Sequence, residues 1–190
     1  MFINDLREIW SNVDHPFLQV PNGKDLRFKD IDDVRINGIE KIRNGDVVSL
    51  IGDFDAESIA TLLNLLARGA VVVPLTNETS GQHHYFIQES HSQYIFQKNN
   101  LVDVISESQD KHPLLDSLRS KERPGLILFT TGTTGRPKAI LHDFIPFISR
   151  YKTPRPPIKA ISFLLFDHIG GINTLLHMLY NLGQIVSIKE

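Results

Sequence analysis

Four short apolar runs, set far apart, constrain the fold of this chain more than any other feature. They lie at residues 46–51 (apolar after Asp46 except at Ser49), 70–73, 126–129 and 161–166. Each is too short for a buried helix and lacks the alternation of a strand with one wet face. Such runs suit central parallel strands, covered on both sides. Between the first two, Asp55 can cap a helix whose apolar face is Ile59, Leu62, Leu63 and Leu66, ended by Gly69. Pro74 then stops the second run. Strand, helix and strand within about 30 residues make a right-handed βαβ unit. The expectation is an α/β fold with a mainly parallel sheet and helices on both faces.

The remaining elements follow from the same patterns. A crossover helix is expected over 80–90, a short strand at 94–96, and a polar connector over 97–123 with a helical piece near Leu114 and Leu118. A strand at 139–141 leads to Asp143, which can cap a helix running through Ser149. The run at 161–166 should be a buried strand. After it come a helix through Leu175, Leu176, Leu179 and Leu182, ended by Gly183, and a last strand at 184–188. Residues 1–44 read as a helix and hairpin extension, and 45–190 as the α/β unit. In the extension, Phe2, Leu6, Ile9 and Trp10 have helical spacing, with Asn4 or Asp5 as cap and Trp10 anchoring the helix to the body. Asn22-Gly23 can turn a small hairpin of 17–20 with 25–28, and Asn37-Gly38 marks a second hairpin or a broken helix.

Apolar content of 41%, charged content of 22% and a net charge of −2 are those of an ordinary soluble protein, with no pull toward nucleic acid or an anionic membrane. Cysteine is absent, so disulfides and thiolate chemistry are excluded, which fits a cytoplasmic protein. Acids interrupt the apolar pattern at the N-terminus, unlike a signal peptide, and no apolar run approaches the length of a membrane span. His83, His84 and His91 fall near one helix, but no carboxylate or cysteine completes a metal set at ligand spacing. Residues 150–159 carry four basic side chains, no acid and three prolines. The segment reads as a solvated loop, or as a phosphate or partner patch.

The chemistry-bearing stretch follows the third run. Thr130, Thr131, Gly132, Thr133, Thr134, Gly135, Arg136, Pro137 and Lys138 combine hydroxyl donors, glycines that let main-chain N–H groups approach a ligand, and a mobile cation. That composition suits a loop around an anion. A Walker-type loop needs lysine directly after its second glycine and then Ser or Thr. Here Arg136 and Pro137 intervene and Ala139 follows the lysine, so the spacing excludes it.

The stretch closely resembles the phosphate-binding signature of the adenylate-forming superfamily, which includes acyl-CoA synthetases and nonribosomal peptide adenylation domains. That signature reads approximately Thr-Ser-Gly-Thr-Thr-Gly-x-Pro-Lys-Gly. Thr130, Gly132, Thr133, Thr134, Gly135, Pro137 and Lys138 match it, Thr131 stands for Ser, and Ala139 replaces the last glycine, where a methyl group can narrow the approach to phosphate. Gly69 through Leu75 also match a superfamily strand, and a His-x-Gly-Gly segment is similar to His168, Gly170 and Gly171.

The resemblance implies a ligase that joins a carboxylic acid to ATP as acyl-AMP, releasing pyrophosphate, as in fatty acid metabolism. ATP and Mg²⁺ are the implied cofactors. The 130–138 loop with Lys138 would hold the phosphates, and His168, Gly170 and Gly171 would line the acid pocket. For His168 a core position at a strand end remains the alternative. Superfamily enzymes run to about 500 residues, more than one core holds, and this chain should end near the close of their first N-terminal subdomain. No Tyr-Gly-x-Thr-Glu segment or C-terminal catalytic lysine is present. The resemblance therefore implies inactivity alone and a complementing polypeptide or a homo-oligomer. The alternative is a non-catalytic remnant that binds an anion or a partner.

Overall fold

The computed structural model describes residues 2–20, 25–130 and 135–188. Its main sheet has six strands: β2 (Val47–Ile51), β3 (Val71–Leu75), β4 (Tyr94–Gln97), β5 (Asn100–Val104), β6 (Gly125–Phe129) and β7 (Ala139–Asp143). Their spatial order is β5-β4-β2-β3-β6-β7. The four inner strands are mutually parallel, and the two edge strands pair antiparallel. A second sheet, β1 (Leu18–Gln19), β9 (Gln184–Ser187) and β8 (Lys159–Ser162), is wholly parallel, with β9 in the middle.

The apolar runs are buried on both faces, as their lack of alternation requires. Val48, Leu50, Val72, Leu126 and Leu128 join a large core with α3 (Ala56–Ala67), α1 (Phe2–Ile9), α2 (Phe28–Asp32), α6 (Phe144–Ser149) and α7 (Ile169–Tyr180). Val47, Val71, Val73, Leu75 and Ile127 face the other way, onto α4 (His83–Glu89) and α5 (Pro113–Arg119) through Phe86, Leu115 and Leu118. Each such side chain stabilises the fold by about 1.5–3 kcal/mol relative to exposure. Ser49, the polar exception in its run, bonds the Ser92 hydroxyl at 2.7 Å, and Ser92 continues to Ser90 at 2.8 Å. Asp55 caps α3 by accepting the Ser58 N–H at 2.8 Å, and Gly69 takes a left-handed φ of 83° where the chain leaves that helix.

Several expectations need correction. Pro74 lies within β3 rather than ending it. Odd-numbered residues of β3 bond toward β2, so Pro74 aims its missing N–H at β6, past the last paired residue, Val72. Residues 97–123 hold strand β5 as well as a helix, entered by a turn with Lys98 at φ 51°. The 161–166 run yields β8 at Lys159–Ser162, an edge strand, and Phe163 is 73% exposed. Apolar composition says nothing there about cover. Leu182 (φ 54°), not Gly183, makes the turn after α7.

In the N-terminal part, α1 begins at Phe2, so Asn4 and Asp5 lie inside it rather than at its cap. Trp10 does anchor this helix: its indole N–H donates to the Leu179 carbonyl at 2.8 Å, and Phe17 and Phe28 pack on the ring. Among the described residues the 17–28 hairpin reduces to one antiparallel bridge, Leu18 to Leu26, because Phe28 starts a helix, while β1 pairs with β9 on its other side. The Asn22-Gly23 turn falls outside the described residues. Asn37-Gly38 is neither hairpin nor broken helix. Gly38 (φ 85°) enters a 3-10 turn over Ile39–Lys41, and Asn37 bridges Asn100 in parallel. The N-terminal elements share the large core with the rest of the chain.

Candidate functional site

The 130–138 segment leaves the C-terminal end of β6 and returns as β7, so it is the connection of an antiparallel pair. Two bonds close its neck. The Thr130 N–H donates to the Lys138 carbonyl at 3.1 Å, and the Lys138 N–H donates to Thr130 Oγ1 at 3.3 Å. Thr131, Gly132, Thr133 and Thr134 lie outside the described residues. Among the described residues nothing stands within 4 Å of where a Cβ on Gly135 would lie. Lys138 is exposed and forms no ion pair among the described residues.

Helix α4 props the returning limb of the loop. Tyr85 donates its hydroxyl to the Pro137 carbonyl at 2.8 Å, and Arg136 stands 5.7 Å from the centre of the Tyr85 ring. One residue on, Phe86 stacks on Phe129, the last residue of β6, with ring centres 4.1 Å apart. The aromatic pair fixes the end of the strand, and the tyrosine fixes the end of the loop.

A cleft of about 330 Å³ opens between these parts. Leu75, Phe86 and Phe129 give it apolar walls, while Thr130, Gly135 and Pro137 bring the loop to its mouth. Asp167 and His168 enter from the start of α7, where His168 is the N-cap residue. The structure therefore places part of the predicted phosphate loop and His168 on one cavity. Such a position, outside the carboxyl ends of parallel strands, is where open α/β sheets hold ligands.

Asp167 is the residue that sequence reasoning passed over. It is buried, and its Oδ2 lies 3.0 Å from both the Thr76 and Thr79 hydroxyls. Thr76 in turn bonds His83 Nε2 through its carbonyl at 2.9 Å. Asp167 Oδ1 is buried and has no hydrogen-bond partner among the described residues. A buried carboxylate oxygen without a donor is costly, although the N-terminus of α7 offsets part of that cost. The clue in the sequence was an acid beside His168, in line with a run that ends at Phe166.

Gly170 and Gly171 do not line the cleft. They form the first turn of α7, and a Cβ on Gly171 would sit 2.1 Å from the Leu165 carbonyl oxygen. On Gly170 it would meet Leu164 Cδ1 at 2.6 Å. Both glycines let the helix pack on its own approach segment. Ala139, the departure from the signature, packs against the cluster that holds Leu115 and Leu118 and is not among the residues that line the cleft. Among the described residues no group of three His, Cys, Asp or Glu is placed to hold a metal. None of their helices is long and apolar enough to cross a membrane.

Comparison with solved structures bears directly on this architecture. The Klebsiella oxytoca NpsA N-terminal subdomain, solved in complex with anthranilyl-AMSN, matches with a TM-score of 0.69 at 15% identity, over 97% of this chain and 52% of that one. Escherichia coli MenE (R195K) with bound OSB-AMS matches with a TM-score of 0.63 at 14% identity, over 98% of this chain and 45% of that one. The chain carries the fold of the N-terminal part of an adenylate-forming enzyme. In sequence it is 28% identical over 163 residues to a CoA ligase of Gibberella moniliformis, covering 70% of this chain and 27% of that protein. It is 26% identical over 138 residues to bacitracin synthase 1 of Bacillus licheniformis, covering 68% of this chain and 3% of that protein. No protein-family model matches. The chain thus spans about a quarter of the CoA ligase. It also spans only about half of the NpsA subdomain, less than the whole first subdomain expected from the sequence.

Proposed function

We propose that this chain is the phosphate-binding portion of a ligase that activates a carboxylic acid as its acyl-adenylate, and that it is inactive without the rest of the enzyme. The observation that carries the reading is the shared cleft, in which Thr130 and Gly135 of the loop meet Asp167 and His168. Lys138, without an ion-pair partner among the described residues, would neutralise phosphate oxygens beside donors from Thr130 and the 131–134 segment. ATP supplies the phosphorus that the carboxylate attacks, with pyrophosphate leaving. Mg²⁺ would arrive with the triphosphate, held chiefly by phosphate and water. His168, at the cleft wall, would position the acid. The relatives support the acid-ligase class: a CoA ligase is among them, and solved neighbours of the fold carry acyl-adenylate analogues.

The remaining part of the enzyme would dock on the edge of β8. Ile161, Phe163 and Ile188 are exposed there at 56%, 73% and 55%. The test of the core reading is calorimetric titration with Mg-ATP and with pyrophosphate, beside a Lys138→Ala variant. Saturable binding that the variant loses supports a working phosphate half-site. Equal binding by the variant, or none by either protein, removes it.

A further inference from the structure

We infer that a second pocket, between the proline-rich segment 150–158 and helix α7, is an anion site for a phosphorylated small molecule. The pocket is about 430 Å³, and its lining carries Arg150, Arg155 and His177 with no acid among the described residues. Its other walls mix apolar side chains, Tyr151, Ile158 and Met178 among them, with the polar Asn173, Thr174 and Asn181. That volume exceeds a bare phosphate, so the floor is suited to an organic group attached to the anion.

The discriminating feature is two arginines without a carboxylate on one pocket; Arg35, Arg68 and Arg136 also lack an ion pair among the described residues, but they do not line it. Arg7, Arg27, Arg43, Arg119 and Arg123 each face a carboxylate. Arg150 and Arg155 face none among the described residues, and the nearby Asp5 is engaged by Lys152 at 3.0 Å. Arg150 is nonetheless held in place. Its guanidinium carbon lies 4.2 Å from the Phe147 ring centre and 5.2 Å from that of Tyr151, and its Nε donates to the Phe147 carbonyl at 3.1 Å. Its Nη2 also donates to Asn173 Oδ1, at 3.3 Å, and the guanidinium still has further N–H donors for an in-plane anion.

Arg155 is placed by its backbone. It sits between Pro154 and Pro156, and its N–H donates to Oδ1 of the buried Asn181 at 2.6 Å. Fixed proline dihedrals lower the ordering cost of binding through this loop. The nearby C-terminus of α7 does not oppose an anion with a bare carbonyl at His177, because Asn181 caps that oxygen through Nδ2 at 2.9 Å and its own N–H at 3.1 Å. A solvated basic loop explains none of this: it needs neither a concave pocket nor arginines held by stacking and capping.

The experiment titrates the chain with phenyl phosphate, with phenol and inorganic phosphate as half-probes, followed by heteronuclear NMR of the arginine Nε–H signals. Saturation near about 1 mM is expected for phenyl phosphate, with clearly weaker binding of both half-probes. Arg155→Gln, on an exposed loop, should weaken it about tenfold without altering the melting curve. Lys138→Ala should leave it unchanged, which separates this pocket from the phosphate loop. Binding that survives Arg155→Gln, or that Lys138→Ala abolishes, overturns the assignment. So does the absence of saturation.

Discussion

Removing one oxygen from Tyr85 should detune the phosphate loop while leaving the fold nearly intact. Tyr85→Phe deletes the 2.8 Å bond to the Pro137 carbonyl and keeps the ring that Arg136 covers. A neutral hydrogen bond contributes about 1 kcal/mol net. Pro137 is half-buried, so water can take over part of that contact. The stability loss is then at most about 1 kcal/mol, or a fall in Tm of about 2–4 °C for a chain of this size. If the tether pre-orders the loop, the same energy is withdrawn from pyrophosphate binding, and Kd rises about fivefold. Thermal melts and calorimetric titration on matched samples measure the two effects separately. A lowered Tm with an unchanged Kd would refute the reasoning, because the loop would then bind without its tether. A stability loss above about 3 kcal/mol would refute it as well, since no single neutral bond accounts for that.

Two further outcomes concern the scaffold. Gly69→Ala should cost about 1–2 kcal/mol in urea unfolding, because φ there is 83°. The new Cβ also displaces the Asn44 amide, 2.1 Å away, although that flexible side chain can move aside. A change below about 0.5 kcal/mol would contradict the strain argument. Burial, and then the charge of Arg150, hold the His142 pKa below its ordinary value. The unfolded chain therefore binds this proton more readily, and stability is lost as pH falls from about 6.5 toward the lower folded value. Tm should drop more steeply between about pH 7 and pH 5 in the native chain than in His142→Asn, and parallel profiles would exclude the effect.

The local code of this protein was legible wherever a residue's own chemistry settles its state. Four-residue apolar runs become strands buried on both faces, because nothing in them tolerates water. Asp55 and Asp143 cap helices because a short carboxylate reaches free N–H groups two or three residues on. The threonine and glycine order at 130–138 pointed to a loop beside a ligand cleft, and Thr130, Gly135 and Pro137 do line one. Its place at the end of β6 followed from the run before it.

Tertiary structure decided what depends on neighbours. The 161–166 run looked as buried as the others, but it supplies an edge strand, and which strand stands at an edge is a property of the sheet. Leu18 keeps a bridge to Leu26 on one side, yet its strand runs along β9 on the other, and that parallel partner stands far away in the chain. Gly170 and Gly171 resembled ligand-approach glycines, yet the atoms that require them are those of Leu164 and Leu165. Asp167 acquired its meaning only when the turn after β3 brought Thr76 and Thr79 across to one of its oxygens and left the other without a donor among the described residues. These contacts join residues about 90 positions apart. Spacing along the chain cannot encode such pairings, because they come from the order of strands in the sheet.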